Sequence, residues 1–211
     1  MSLADLRTDY RLASLSESDV LADPIAQFNK WFGEAERAEV PEPNAMSLAT
    51  STTNGNPSVR TVLVKGVDAD GFVFYTDYRS QKGAELTDNP KAALCFFWAA
   101  LERQVRITGN VSRVSRAESE VYFRSRPVGS RIGATASAQS ATLTDRAELE
   151  QRVLALEAQY ANGEIPLPGH WGGFRVTPAT LEFWQGRSNR LHDRILYTRR
   201  AERWDISRLS P

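Results

Sequence analysis

The sequence predicts a mainly β protein with flanking helices, an α+β fold built on a small antiparallel barrel. Short runs rich in β-branched and aromatic residues recur between Met46 and Val114 and again between Gly173 and Ile206. Asn54-Gly55 and Asp68-Ala-Asp-Gly71 separate the first of these runs as hairpin turns. Helical spacing appears ahead of the strands and in a late insertion, which suits helices laid against a barrel.

Residues 1–22 are polar and mixed, and are expected as a mobile N-terminal arm, leaving 23–211 as one domain. Asp23-Pro24 opens a helix, with Asp23 as cap and Ile25, Phe28, Trp31 and Phe32 as its apolar stripe. Pro41 and Pro43 close that region. Strands are expected at Met46–Thr52, Ser58–Lys65 and Phe72–Thr76, then a short helix at Gln81–Leu86 ending at Asn89-Pro90. Two further strands follow at Ala92–Trp98 and Gln104–Val114. Ala117–Ser125 and Ser130–Ser137 read as short helices parted by Pro127. Asp145–Ala161 reads as a longer helix capped by Thr144, with Leu149, Val153, Leu156 and Tyr160 as its stripe. Strands near Gly173–Val176, Thr180–Trp184, Arg194–Arg199 and Arg203–Ile206 complete the chain.

Bulk properties narrow the function. Lys+Arg and Asp+Glu both number 26, and zero net charge argues against a general nucleic-acid binder. No apolar run approaches the roughly 20 residues that span a bilayer, and the opening residues lack the apolar core of a signal peptide. The single cysteine, Cys95, excludes an internal disulfide and fits a reducing, cytoplasmic setting. Two distant histidines and one cysteine do not make a zinc or haem site. Neither G-x-G-x-x-G after a strand nor a Walker-type loop is present. Asp68-Ala-Asp-Gly71 lacks the rest of a calcium loop, Cys95 lies in an apolar strand, and His170 beside Trp171 reads as structural.

The basic residues carry more. Glu182-Phe-Trp-Gln-Gly-Arg-Ser-Asn-Arg-Leu-His-Asp-Arg194 holds one of the two histidines. If this segment is extended, Arg190, His192 and Arg194 share a face with Trp184, and three potential cations repel unless an anion sits among them. That pattern suits a flat, phosphorylated ligand. Arg60 and Lys65 bracket a β-branched strand at odd spacing; they serve two different anionic groups or are an ordinary solvated surface. Tyr122 and Arg126 are i and i+4 on a helix, with Ser130 one turn on, a set able to hold a phosphate or simply an exposed helix face.

Taken together, Arg60-Thr-Val-Leu-Val-Lys65, Gly71-Phe-Val-Phe-Tyr-Thr76, Ser80-Gln-Lys82, Glu102-Arg-Gln-Val105, Tyr122-Phe-Arg-Ser-Arg-Pro127, Gln139-Ser140, Trp171-Gly-Gly-Phe174, Glu182-Phe-Trp-Gln-Gly186 and Arg190-Leu-His-Asp-Arg194 resemble the pyridoxine (pyridoxamine) 5′-phosphate oxidase family over nearly the whole chain. The resemblance implies a split β-barrel that binds FMN between the subunits of a homodimer. By position it implies FMN contacts at Arg60, Thr61, Val62, Leu63, Val64, Lys65, Tyr75, Thr76, Gln81, Lys82, Gln104, Gln139, Ser140, Trp184 and Arg194. Substrate contacts are implied at Arg7, Tyr10, Lys65, Tyr122, Arg126, Ser130, Arg190, Leu191 and His192, with Arg190 and His192 as the catalytic pair. The implied reaction oxidises pyridoxine or pyridoxamine 5′-phosphate with oxygen to pyridoxal 5′-phosphate, releasing hydrogen peroxide, and ammonia from the amine. Four positions depart from the family pattern: Gln81 stands for a common Arg, Arg131 for Gln, Thr135 for Trp and Arg187 for Gly. Competing functions are a flavin or deazaflavin reductase on the same barrel, a non-catalytic carrier of FMN or pyridoxal phosphate, and a ligand-free structural dimer.

Overall fold

The structure, a computed structural model, describes residues 2–6, 8–161 and 163–211. The expected contact at Arg7 lies outside the described residues.

Helix α1 (Pro24–Arg37) starts where Asp23 caps it, its carboxylate accepting from the Ile25 and Ala26 N–H groups, a contact worth about 1 kcal/mol. The stripe buries Ile25, Phe28 and Trp31, and Phe28 meets Phe72 edge-on at 4.9 Å. The strands are β1 (Ala45–Ser51), β2 (Pro57–Leu63), β3 (Gly66–Asp68), β4 (Gly71–Asp77), β5 (Lys91–Trp98), β6 (Arg103–Arg113), β7 (Trp171–Gln185), β8 (Asp193–Arg200) and β9 (Arg203–Arg208). They form one antiparallel sheet ordered β2-β1-β5-β6-β7-β4-β3, with β8 and then β9 added to the side of β7. The sheet curls into a split barrel around Met46, Leu48, Phe72, Phe74, Leu94, Phe96, Trp98 and Phe183.

Strand β7 organises the molecule. Its first half pairs with β4, its second half with β8, and β6 runs along Phe174–Gln185. Two strands were expected here, Gly173–Val176 and Thr180–Trp184, and Pro178, which has no N–H to give a ladder, lies between them. The chain instead stays extended, and the β6·β7 register shifts between Thr108 and Gly109, absorbing the proline as a bulge does. The expected strand Ser58–Lys65 is also corrected. It stops at Leu63 and resumes as β3, paired with β4.

Helix α2 (Gln81–Asp88) is capped by Ser80. Helices α3 (Arg116–Ser125), α4 (Val128–Ala136) and α5 (Arg146–Gln159) form the insertion. Asp145, not Thr144, caps α5, because its carboxylate reaches the Glu148 N–H. A second core of Phe123, Ile132, Ile165, Leu167 and Trp171 joins the insertion to the start of β7, with Val153, Leu156 and Tyr160 of α5 packed against it.

The N-terminal segment, expected as a mobile arm, makes specific contacts. Leu15 is buried in the main core, and its N–H donates to Asp193 at 3.0 Å. The Leu12 N–H donates to Glu102 at 3.0 Å. The ring of Tyr10 lies so close to Gly186 that a Cβ there would sit 2.7 Å from it, so only glycine fits under the ring.

Candidate functional site

A cavity of about 850 Å3 opens between β2, β4, α2 and the insertion. Arg60, Thr61, Val62, Leu63, Lys65, Tyr75, Thr76, Lys82, Tyr122, Arg126, Ser130 and Gln139, all expected site residues, line it. Strand β2 ends the sheet path, so alternate backbone N–H and C=O groups along Arg60–Leu63 face away from β1 without a strand partner. Arg60 and Lys65, expected on opposite faces, both reach the cavity because the strand breaks at Val64-Lys65. Val64 turns the other way. Its side chain is buried in the barrel core, its N–H donates to Asn44 O, and its carbonyl accepts from Asn44 Nδ2.

Two cationic positions define the cavity. At the first, Lys82 is only 8% exposed. Its Nζ donates to Gln139 Oε1 at 2.9 Å, Thr76 Oγ1 at 3.3 Å and Ser80 Oγ at 3.4 Å, all neutral acceptors. Burial, then the charge of Arg60, lowers its pKa below the usual lysine range. Arg60 is fixed by Ser58 Oγ at 2.6 Å, Thr50 Oγ1 at 2.5 Å and Leu48 O at 3.2 Å, with Glu85 behind it at 3.5 Å. Burial pushes the Glu85 carboxyl up, but donors from Ser58, Thr50 and Gln81 and the Arg60 charge outweigh it, so its pKa is lowered.

At the second position, Arg126 lies over the Trp171 ring at 4.7 Å, and its buried Nη1 has no hydrogen-bond partner among the described residues. Burial lowers its pKa too. Tyr75, Tyr122 and Trp171 form a parallel stack beside it, with 3.9 Å between the tyrosine rings. Burial, then the charge of Glu118, pushes the Tyr75 hydroxyl up to about 12, which keeps it a neutral donor. Asp77 and Glu85 favour the Lys82 charge only through space, so among the described residues the ammonium is bonded to neutral oxygens alone and the guanidinium keeps an idle N–H, two cations with no directly bonded anion. The cavity therefore suits a ligand set carrying two separated anionic groups around a flat body.

Other expected residues lie elsewhere. Gln81 and Ser140 line a neighbouring cavity. Gln81 donates to Glu85 at 2.9 Å, and so supports Arg60 from behind rather than replacing a cation. Trp184 is thirteen residues along β7 from Trp171, a contour of about 40 Å at extended rise. It pairs with Gln104 on one side and Arg194 on the other. His192 lies 4.6 Å from the Trp184 ring, and Tyr10 packs on both rings at 5.8 and 6.0 Å.

This C-terminal cluster also corrects the extended reading. Ser188–Arg190 is a helical turn with Asn189 and Arg190 at φ 57 and 61, and β8 starts only at Asp193. Arg190, His192 and Arg194 thus share no strand face. Arg194 is already paired, to Glu182 at 2.7 Å and to Ser210 O at 2.8 Å. Burial, then Arg190, lowers the His192 pKa, favouring the neutral ring. Arg190 and Leu191 are exposed.

Some lining residues were not expected. Pro127, Gly133, Ala134 and Ser137, with the expected Ser130, follow helical spacing and put small side chains on the cavity side of α4. That stripe was readable, but only Ser130 was taken from it. Trp171 was readable too, from the glycines after it. Gly173 lies under the Tyr75 ring, where a Cβ would come within 2.8 Å. His170, expected to be structural, sits 3.7 Å from Asp77 at the cavity rim.

Comparison with known proteins bears on this arrangement. Residues 32–160 match the family described as pyridoxamine 5′-phosphate oxidase. A pyridoxine/pyridoxamine 5′-phosphate oxidase from Nostoc sp. is 57% identical over 211 residues, covering 100% of this chain and 99% of the relative. The chain belongs to the pyridoxamine 5′-phosphate oxidase family. A like-named protein from Thermosynechococcus vestitus is 58% identical, covering 99% of each chain. Residues 171–211, which hold the Trp184–His192 cluster, match the family's C-terminal dimerisation region. Among solved structures, PhzG from Burkholderia lata 383, in complex with tetrahydrophenazine-1-carboxylic acid, superposes with a TM-score of 0.89 at 32% identity, covering 95% of this chain and 99% of that one. A pyridoxamine 5′-phosphate oxidase-related, FMN-binding protein from Nostoc punctiforme shares the fold with a TM-score of 0.73 at 18% identity, covering 91% of this chain and 100% of that one. Family membership supports a flavin as the group the cavity accepts. No helix among the described residues is long and apolar enough to cross a membrane.

Proposed function

We propose that this protein is an FMN-dependent oxidase of pyridoxine and pyridoxamine 5′-phosphate that works as a homodimer. The observation that carries the reading is the pair of cations, buried Lys82 and half-buried Arg126, lining one cavity with no carboxylate hydrogen-bonded to either among the described residues. Lys82, Arg60, Thr76 and Gln139 would hold the FMN phosphate, and the unpaired edge of β2 would hydrogen-bond the ring system. Arg126, Tyr122, Ser130 and Lys65 would hold the substrate phosphate beside the Tyr75–Trp171 stack. FMN, when bound, supplies the electron acceptor for oxidation at the substrate's C4′ and the route for those electrons to oxygen.

The cluster around His192 would close the site from a second subunit, since β7 holds it far from the cavity within one chain. His192 and Arg190 of the partner subunit would orient the substrate ring over the cofactor. Gln104, Trp184 and Arg194 of the partner subunit would flank the cofactor. The expected role of Tyr10 fits the same cluster, because its ring already packs on Trp184 and His192.

The direct test is an assay. Purified protein should be yellow, and pyridoxamine 5′-phosphate in air should yield aldehyde and peroxide together. Aldehyde without peroxide, or neither, removes the oxidase reading. The PhzG likeness makes tetrahydrophenazine-1-carboxylic acid the alternative substrate for the same assay; the higher identity to the B6 oxidases favours the phosphorylated pyridine.

Lys82 gives this reading a pH signature. A phosphate dianion selects the protonated amine, so binding above the lowered lysine pKa must take up a proton. FMN affinity should therefore decline with rising pH, by up to about tenfold per unit once that pKa is passed. Flavin fluorescence titrations between neutral and alkaline pH report it, and a flat profile contradicts it.

A further inference from the structure

Arg187, one of the departures from the family pattern, touches His192 and its neighbour in two ways. Its backbone N–H donates to His192 Nδ1 at 3.1 Å. Its guanidinium grips Asp193 at 2.9 Å across the turn that contains Asn189 and Arg190, both in the left-handed region. Asp193 is held in turn by Arg208 at 2.8 Å and by the Leu15 N–H at 3.0 Å. Leu191 N–H donates to Ser188 O, and Ser188 Oγ donates to Tyr10 O at 3.3 Å. The turn is thus clamped at both ends and tied to the N-terminal segment.

A backbone amide can only donate, so Nδ1 must present its lone pair and the ring proton must sit on Nε2. We infer that Arg187 is a positioning residue that holds His192 as the Nε2–H tautomer, so that His192 meets substrate as a hydrogen-bond donor and not as the proton-abstracting base. Nε2 already carries its proton in this tautomer. A second proton would have to enter at Nδ1, facing the Arg187 N–H, and would break that contact. The charged groups around the ring do not reward protonation: Arg190 and Arg187 are cations, and the Asp193 carboxylate is occupied by Arg187, Arg208 and Leu15. Among the described residues, the aromatic rings of Tyr10 and Trp184 also face it. The substrate role rests on the proposed function, whereas the tautomer does not.

The chain has only two histidines, so its imidazoles can be labelled and read individually. In 15N-histidine protein carrying His170→Asn, the His192 signals should show a pyridine-type Nδ1 and a protonated Nε2 at neutral pH. A protonated Nδ1 would overturn the inference without any variant of the clamp. Arg187→Ala should mix the two tautomers and lower kcat about tenfold by misplacing the ring, at unchanged FMN content, and Arg187→Lys should recover part of both. An unchanged tautomer signal in Arg187→Ala would remove the guanidinium clamp from the account. A correct tautomer in a protein that oxidises neither candidate substrate would sink the functional reading and leave the positioning intact.

Discussion

Replacing Arg60 and Lys82 together with alanine should give largely colourless protein. Each cation makes charge-assisted contacts to a bound phosphate worth about 1.5–3 kcal/mol, so losing both should weaken FMN binding by about 10²- to 10⁴-fold. A single Lys82→Met variant separates a binding role from a structural one. Lys82 is buried among neutral partners, and its pKa is held down by burial and by Arg60. An apolar side chain of similar length relieves that desolvation, so the apoprotein should gain about 1–2 kcal/mol. For a chain of this size that raises Tm by about 2–8 °C, while FMN affinity falls. A residue that only held the fold together would lose stability and affinity in parallel. A yellow, FMN-saturated double variant would contradict the phosphate assignment.

The elements read correctly from sequence are those whose signal is local. Asp23-Pro24 and the Ile25–Phe28–Trp31 spacing specify α1 because capping and helical periodicity act within a few residues. Asp68-Ala-Asp-Gly71 sets the β3–β4 hairpin for the same reason. What the sequence hid depends on partners distant in the chain. Arg194 looked like a free cation until Glu182 paired with it across β7·β8. Gln81 looked like a lost phosphate ligand, yet it braces Glu85, which braces Arg60. The extended reading of Arg190–Arg194 failed because two left-handed residues, favoured by no glycine in the sequence, turn the chain before β8 begins. Lys65 joined Arg60 only because β2 breaks after Leu63. The cavity's composition was mostly legible, since the family resemblance named twelve of the residues that line it. The long separation of Trp184 and Trp171 on one strand was not, because it required β7 to be continuous through Pro178.

That separation makes the dimer the core of the account, and complementation between two damaged chains tests it. Arg126→Ala damages the cavity, and Arg190→Ala with His192→Ala damages the distal cluster. Each homodimer should turn over at least about 10²-fold more slowly than wild type. If a site takes its cavity from one subunit and its cluster from the other, a mixed dimer carries one site with both lesions and one with none. Equal co-assembly makes about half the dimers mixed, so about a quarter of all sites should regain wild-type turnover. Mixtures that stay at the average of the two parents, with mixed dimers verified by differential tags, would contradict a site shared between subunits.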